Sequence, residues 1–207
     1  IIVFADVNYI ILEAGLGGEF DATSVFEHIL LLVTPIAFDH QDFLGNTIED
    51  IARTKLKANQ KKLILGSQKF KEVENMALKM FGSDRVILFY NLIDDFENKQ
   101  LIKIIKEEEK PKFLLDNLQL AYSALKYLNI KIKPEHFKLC SFFGRMQKID
   151  QNITIDVGHN VLAAQAILSE YKGKKINLIF NTFADKDVFC VLKTLKPIIN
   201  QVDILKI

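Results

Sequence analysis

Short apolar runs with almost no polar alternation, at Val7 to Glu13 and Ile29 to Thr34, are the feature that most constrains this fold. A strand-length run of that kind has to be covered on both faces, which is the situation of parallel strands in an α/β sheet. The stretches between such runs carry apolar residues at helical spacing. Ile48, Ile51, Ala52 and Leu56 do so between Asn46 and Lys57, with Asn46 and Glu49 offering a capping-box-like start. Lys62 to Leu65 reads as the next strand, Gln68 to Phe81 as a helix with Phe70, Val73, Ala77 and Met80 on one face, and Val86 to Tyr90 as a strand. Asp94 to Lys112 is open between helix and hairpin. Leu114 to Leu128 is an amphipathic helix through Leu118, Ala121, Tyr122 and Leu125. A second alternation follows: Ile153 to Asp156, a helix from Val161 to Tyr171, a strand from Ile176 to Phe180, a helix from Asp187 to Ile199, and a strand from Val202 to Ile207. The expected class is α/β with a mostly parallel sheet, divided into a unit over 1–144 and a smaller one over 145–207.

A chain of 207 residues with 49% hydrophobic content can bury a substantial core. Its 27 basic and 26 acidic residues leave a net charge of +1, so nothing draws it generally to nucleic acid or to a membrane. Any polyanion site must be local. Cys140 and Cys190 each sit in an apolar stretch and read as reduced, buried thiols rather than a disulfide framework. Apolar stretches are broken well before membrane-spanning length, and no secretory leader opens the chain. The start at Ile1, without methionine, reads as that of a fragment.

The chemistry gathers in two segments, Ile11-Leu-Glu-Ala-Gly-Leu-Gly-Gly18 and Phe38-Asp-His-Gln-Asp-Phe-Leu-Gly45. Parallel strands present their carboxyl ends at one edge of the sheet, so Glu13 and His40 can converge there on one cation although far apart in sequence. With Gly15, Gly17, Gly18 and Asp21 beside them, they suggest a site for metal and phosphate. Each residue has a plainer reading: Glu13 and His40 solvated, Asp39 a turn former, the glycines a tight turn.

The blocks ILEAGLGGEFDATS, FDHQDFLGNTIEDIARTK, FGRMQ, DVGHN and FADKDV, in that order, resemble folylpolyglutamate synthase and the bifunctional dihydrofolate synthases, members of the Mur-ligase-like enzymes. The resemblance implies part of a central ATP-binding domain, then a truncated Rossmann-like domain that helps bind the incoming glutamate. It implies an ATP-dependent ligase working with ATP and Mg2+ on a folate or dihydropteroate and L-glutamate, as a cytoplasmic monomer with neither nucleic acid nor membrane as partner. It assigns Glu13 and His40 as magnesium ligands. Lys55 stands where the family carries a lysine carbamate able to ligate a second magnesium, and Lys55 and His159 are the expected catalytic residues; a plain surface lysine is the alternative for Lys55, and a bland strand-to-helix turn for the one bearing His159. Asn117, Arg145 and Asp156 stand at nucleotide-contacting positions, with a helix cap as the alternative for Asn117 and equally for Asp116. Asp185, Lys186 and Asp187, at the carboxyl end of the next strand, are candidates to line the same cleft without a catalytic role; a solvated loop is the plainer reading of each.

Departures from the family pattern are Glu19 for arginine, Phe143 for the proline before its glycine, and Ala52-Arg-Thr-Lys-Leu-Lys for A-R-E-K-A-G. The family's G-x-x-x-x-G-K-[ST] phosphate loop is not in this sequence and by analogy lies ahead of Ile1, so the stretch alone is expected to be inactive. The rivals are another Mur-type ligase, acting on cell-wall precursors, and a non-catalytic binding module.

Overall fold

The computed structural model describes residues 7–58, 60–138, 142–183 and 186–205. Cys140 and Asp185 lie outside the described residues, as do Ile1 to Asp6. The central feature is a parallel sheet of β1 (Leu31–Val33), β2 (Leu63–Leu65) and β3 (Val86–Leu88), ordered as in the chain, with Leu32 beside Ile64 and Ile64 beside Ile87. β2 is buried along its whole length. Its alternation divides the core: Leu63 and Leu65 pack with Ile51, Ala52 and Leu56 of α2 (Ile48–Leu56) and Val73 and Ala77 of α3 (Lys71–Phe81). Ile64 faces the other way, onto Leu120 and Ala124 of α5 (Phe113–Tyr127). Both faces are therefore covered, as an apolar run without alternation demands. Each fully buried Leu or Ile contributes about 1.5–3 kcal/mol relative to exposure.

The stretch from Asp94 to Lys112 resolves as a helix, α4 (Asp95–Glu107), which opens with a capping box between Asp94 and Glu97. Glu97 also accepts from Tyr122 Oη at 3.0 Å and pairs with Lys126 at 2.6 Å, fastening α4 to α5. Burial alone would raise the Glu97 carboxyl; Lys126, the Asp94 amide and the Tyr122 hydroxyl outweigh it and hold it below the ordinary glutamate range.

Further on, β4 (Gln147–Asp150) and β5 (Ile153–Ile155) form an antiparallel hairpin, of which the sequence reading had only the second strand. α6 (Val161–Glu170), β6 (Ile176–Phe180), α7 (Val188–Leu195) and β7 (Ile199–Ile204) close the chain, with β6 and β7 parallel. Their core is Ala164, Phe180, Val191, Leu195 and Ile198. The α/β class and parallel pairing are as expected from the sequence.

Several expectations are corrected. No strand forms over Val7 to Glu13: residues 7–14 run without ladder hydrogen bonds, and Ile11 is 95% exposed. An apolar run becomes a buried strand only when a neighbouring backbone pairs with it and helices cover it, and among the described residues none does. The cap of α2 is Thr47, which accepts the Asp50 N–H at 3.1 Å, one residue later than Asn46. Asp116 and Asn117 lie within the first turns of α5 and cap nothing; Lys112 precedes the helix without a side-chain cap. Cys190 is half-buried on α7 rather than buried. None of the described helices is long and apolar enough to cross a membrane.

Candidate functional site

The glycine-rich turn is organised by Asp21. Its Oδ2 accepts the amides of Gly15 and Leu16 at 2.9 and 3.2 Å, and its Oδ1 accepts the amide and hydroxyl of Thr23 at 2.9 and 2.7 Å. These bonds, led by the Thr23 amide, pull the Asp21 carboxyl down to about 2. Of the three glycines only Gly17 has a positive φ, 68°. Gly18 is needed for another reason: a Cβ there would stand 2.9 Å from the carbonyl oxygens of both Thr54 and Lys55. Glu19 N–H donates to Thr54 O at 2.8 Å, and Lys57 Nζ pairs with Glu19 at 2.9 Å. The turn is thus seated on the last turn of α2, the turn that carries Lys55. Burial lowers the Lys55 ammonium below the usual lysine range, and the facing Asp39 carboxylate opposes that only in part.

Beyond β1 the chain reaches Asp39 and His40. His40 precedes the one-turn helix α1 (Gln41–Leu44) in the left-handed region, φ 51° and ψ 39°, a conformation uncommon for residues other than glycine but one that histidine tolerates better than most. Asp39 Oδ1 accepts the His40 amide at 2.9 Å and lies 3.7 Å from Lys186 Nζ. Asp39 Oδ2 accepts from Asn160 Nδ2 at 2.8 Å and lies 3.5 Å from His159 Nε2. Burial would raise this carboxyl; the Asn160 hydrogen bond, His40 and Lys186 together hold it below the usual range.

The turn bearing His159 is held by Asp156, whose oxygens accept the amides of Met146 at 2.8 Å and Gly158 at 2.6 Å. Gly144 has φ 69°, its carbonyl accepts the Val157 N–H at 2.8 Å, and a Cβ on it would come 2.6 Å from Val157 Cγ1. The hairpin entrance and the 156–160 turn are one packed piece. Arg145 projects from it, exposed, with its backbone in the Phe142 to Arg145 turn. Asn117 is exposed on α5. Its neighbour Asp116 is half-buried, and burial raises its carboxyl despite a hydrogen bond from Ser67. Glu13 is exposed within residues 7–14.

Among the described residues no group of three or more His, Cys, Asp and Glu side chains could hold a metal ion. A carboxylate such as that of Glu13 is an ordinary ligand for a hard cation and an imidazole such as that of His40 an unusual one, so the pair fits only a cation that keeps waters and phosphate oxygens for most of its coordination.

No family model matches the chain. Among curated proteins, the dihydrofolate synthase/folylpolyglutamate synthase of Haemophilus influenzae is 26% identical over 235 aligned positions, covering 95% of this chain and 53% of that protein. Among solved structures, Helicobacter pylori folylpolyglutamate synthetase is 36% identical with a TM-score of 0.69, covering 98% of this chain and 52% of the other. The chain belongs to the folylpolyglutamate synthase family. An Escherichia coli relative solved with DHPP and ADP shares the fold at a TM-score of 0.69 and 21% identity. The chain spans about half the length of the relatives that it matches from end to end.

Of the residues that the folylpolyglutamate synthase resemblance singled out, the structure brings His40, Lys55 and His159 around one carboxylate, Asp39. Arg145 and Asp156 stand together at the hairpin entrance, with Asn117 on α5. Sequence reading missed Asp39 as the centre of the cluster and Asn160 and Lys186 as its partners. The available signal was a carboxylate beside a histidine just beyond a strand's carboxyl end, the edge where open α/β sheets bind ligands.

Proposed function

We propose that the protein to which this chain belongs is an ATP-dependent ligase that adds L-glutamate to a folate, with dihydropteroate as the alternative or additional acceptor that the substrate series below distinguishes. The observation that carries this reading is the convergence, across 121 residues of sequence, of the Asp39-His40 loop and the His159-Asn160 turn. Both belong to sequence blocks of one ligase family. The division at 144/145 belongs to the same proposal, as do a cytoplasmic location and a monomeric working form.

In this reading the ATP γ-phosphoryl moves to the substrate carboxylate, giving an acyl phosphate and ADP. The glutamate amine then attacks the acyl carbon, loses a proton, and expels phosphate as the amide forms. No protein nucleophile is needed, so positioning and charge neutralisation supply the acceleration. Arg145, a permanent cation on an exposed turn, would pair with phosphate oxygens in this reading. Asp156 already accepts two amides, yet a carboxylate has about four lone-pair directions and can still accept from a ribose hydroxyl. Asn117 offers a carboxamide to the nucleotide. His159 presents Nε2 at the cleft, held by Asp39.

Glu13 and His40 would hold magnesium, which when bound neutralises charge on the transferred phosphoryl group. Lys55 suits carbamylation because its desolvation increases the share of neutral amine, the form that attacks carbon dioxide.

The test uses the full-length protein with ATP, L-glutamate and, in turn, tetrahydrofolate, dihydropteroate or a cell-wall precursor. ADP release coupled to a glutamyl adduct of the folate or pteroate is expected, with hydroxylamine trapping the acyl phosphate as a hydroxamate. Turnover that ignores folates, or follows the cell-wall precursor, refutes the proposal. Binding of nucleotide without any turnover replaces it with the binding-module reading.

A further inference from the structure

Asn160 has both ends of its carboxamide committed. Its Oδ1 accepts the Ala163 N–H at 2.9 Å and caps α6, while its Nδ2 donates to Asp39 Oδ2 at 2.8 Å. Capping alone does not require asparagine, since aspartate and serine cap a helix equally well. A carboxamide does both jobs with separate atoms, its oxygen accepting from the helix while its nitrogen donates to a carboxylate on the other side. His159 Nε2, 3.5 Å from the same oxygen, and Lys186 Nζ, 3.7 Å from Oδ1, bring two more nitrogens from the same half of the chain. On its own side Asp39 accepts the His40 amide, and Lys55 faces it. The seam continues nearby. Lys69 Nζ donates to Gln165 Oε1, and Phe38, in edge contact with Phe70 at 5.7 Å, walls a slot of about 80 Å³ with Val161 and Leu162.

We propose that Asp39 is a positioning residue: its carboxylate clamps the 157–160 turn and Lys186 against the loop that bears His40, fixing the His159 imidazole relative to that loop. The clamp acts through other side chains. Its structural part is independent of the ligase reading; only its kinetic consequence rests on that reading.

The experiment uses the full-length protein and three variants. Asn160→Asp keeps the α6 cap but sets a second carboxylate against Asp39. Asp39→Asn removes the charge that His159 and Lys186 face. The exchanged pair, Asp39→Asn with Asn160→Asp, restores one donor and one acceptor in the opposite sense. Amide hydrogen exchange is read at Val157, Gly158 and Ala163, with Leu63 to Leu65 as an internal check on folding. Each single variant should speed exchange at Val157 and Gly158 by about tenfold, the effect of one lost charge-assisted hydrogen bond, with Ala163 still protected in Asn160→Asp. The exchanged pair should return exchange to within about threefold of wild type. Unchanged exchange in both single variants, or additive damage in the pair, overturns the clamp. Should one single variant fail to fold, the other decides alone.

In glutamate ligation, KM for glutamate should rise by about tenfold in Asn160→Asp while KM for ATP stays within about twofold, and the pair should recover. Unaltered kinetics in a variant with faster exchange overturns the positioning role. A wild-type protein that shows the expected exchange pattern but no folate-dependent turnover refutes the ligase reading and leaves the clamp standing.

Discussion

Gly18 separates a phosphate-cradling glycine from a packing one. In Gly18→Ala the new methyl would lie 2.9 Å from Thr54 O, 2.9 Å from Lys55 O and 3.1 Å from Ala58 Cβ. Ordinary C···O contacts fall at about 3.3–3.6 Å, so the turn must retreat by several tenths of an ångström from two backbone oxygens that cannot rotate away. Overpacking of this kind costs about 1–3 kcal/mol. The retreat also stretches the Glu19 N–H to Thr54 O bond, now 2.8 Å, whose net worth is about 0.5–1.5 kcal/mol. Together these give a loss of about 2–4 kcal/mol, or roughly 4–16 °C in Tm for a chain of this size. Gly15→Ala is the control: its methyl would meet only Asp21 Oδ2 at 3.7 Å, an ordinary contact, and φ there is not positive. It should be neutral, or stabilising by up to about 1 kcal/mol through the unfolded chain. Native-state hydrogen exchange at Leu63 to Leu65, in the most buried strand, reads the stability of the β1–β3 unit directly. Gly18→Ala as stable as wild type, or Gly15→Ala equally damaging, would refute the packing argument.

Ile51→Ala, at a fully buried position on α2, should cost about 2–5 kcal/mol in urea unfolding, whereas Ile11→Ala, 95% exposed, should stay within about 0.5 kcal/mol; equal effects would mean that residues 7–14 are packed. The Asp21 carboxyl, held at about 2 against an ordinary 3.8, contributes stability that is present above the unfolded value and lost as pH falls through the folded one. The difference between wild type and Asp21→Asn should therefore shrink between about pH 4 and 2, and a constant difference would count against that network. Burial and the Glu97 carboxylate push the Tyr122 phenol up to about 12 from 10.0. Its contribution is complete below the unfolded value and is lost as pH rises toward the folded one; an alkaline unfolding slope unchanged in Tyr122→Phe would contradict this.

Legibility followed covalent locality. β2, α3 and α5 were readable because their side-chain periods, set by backbone geometry, survive in the string of residues. Val7 to Glu13 was not, because pairing is a property of the neighbouring backbone. α4 was readable in principle: Asp94 and Glu97 stand at capping-box spacing, but the charges around Leu101, Ile104 and Ile105 masked the stripe. In the cleft, the cap role of Asn160 is legible from its place between strand and helix. Its second role was invisible, since the partner lies 121 residues away and a lone aspartate after a strand has the composition of any turn. Gly18 looked like a phosphate-loop glycine for the same reason, because the carbonyls that exclude its Cβ belong to α2.

Lys55 joins the two anchoring systems. Its carbonyl is one of the two that Gly18 approaches, and its ammonium faces Asp39, the carboxylate engaged by Asn160, His159 and Lys186. A carbamate at Lys55 would replace a cation with an anion beside that carboxylate. The exchange is tolerable only while Asp39 is engaged by its own donors, because two facing carboxylates without counter-charge repel each other. Asn160→Asp removes one donor and adds a further negative charge to the same cluster. Carbamate occupancy at Lys55, measured by NMR in carbon-13 bicarbonate under saturating magnesium, should therefore fall in Asn160→Asp and recover in the Asp39→Asn/Asn160→Asp pair. Equal occupancy in all three proteins would show that Lys55 does not sense the charge on Asp39, and the electrostatic link between the α2 lysine and the clamp would have to be abandoned.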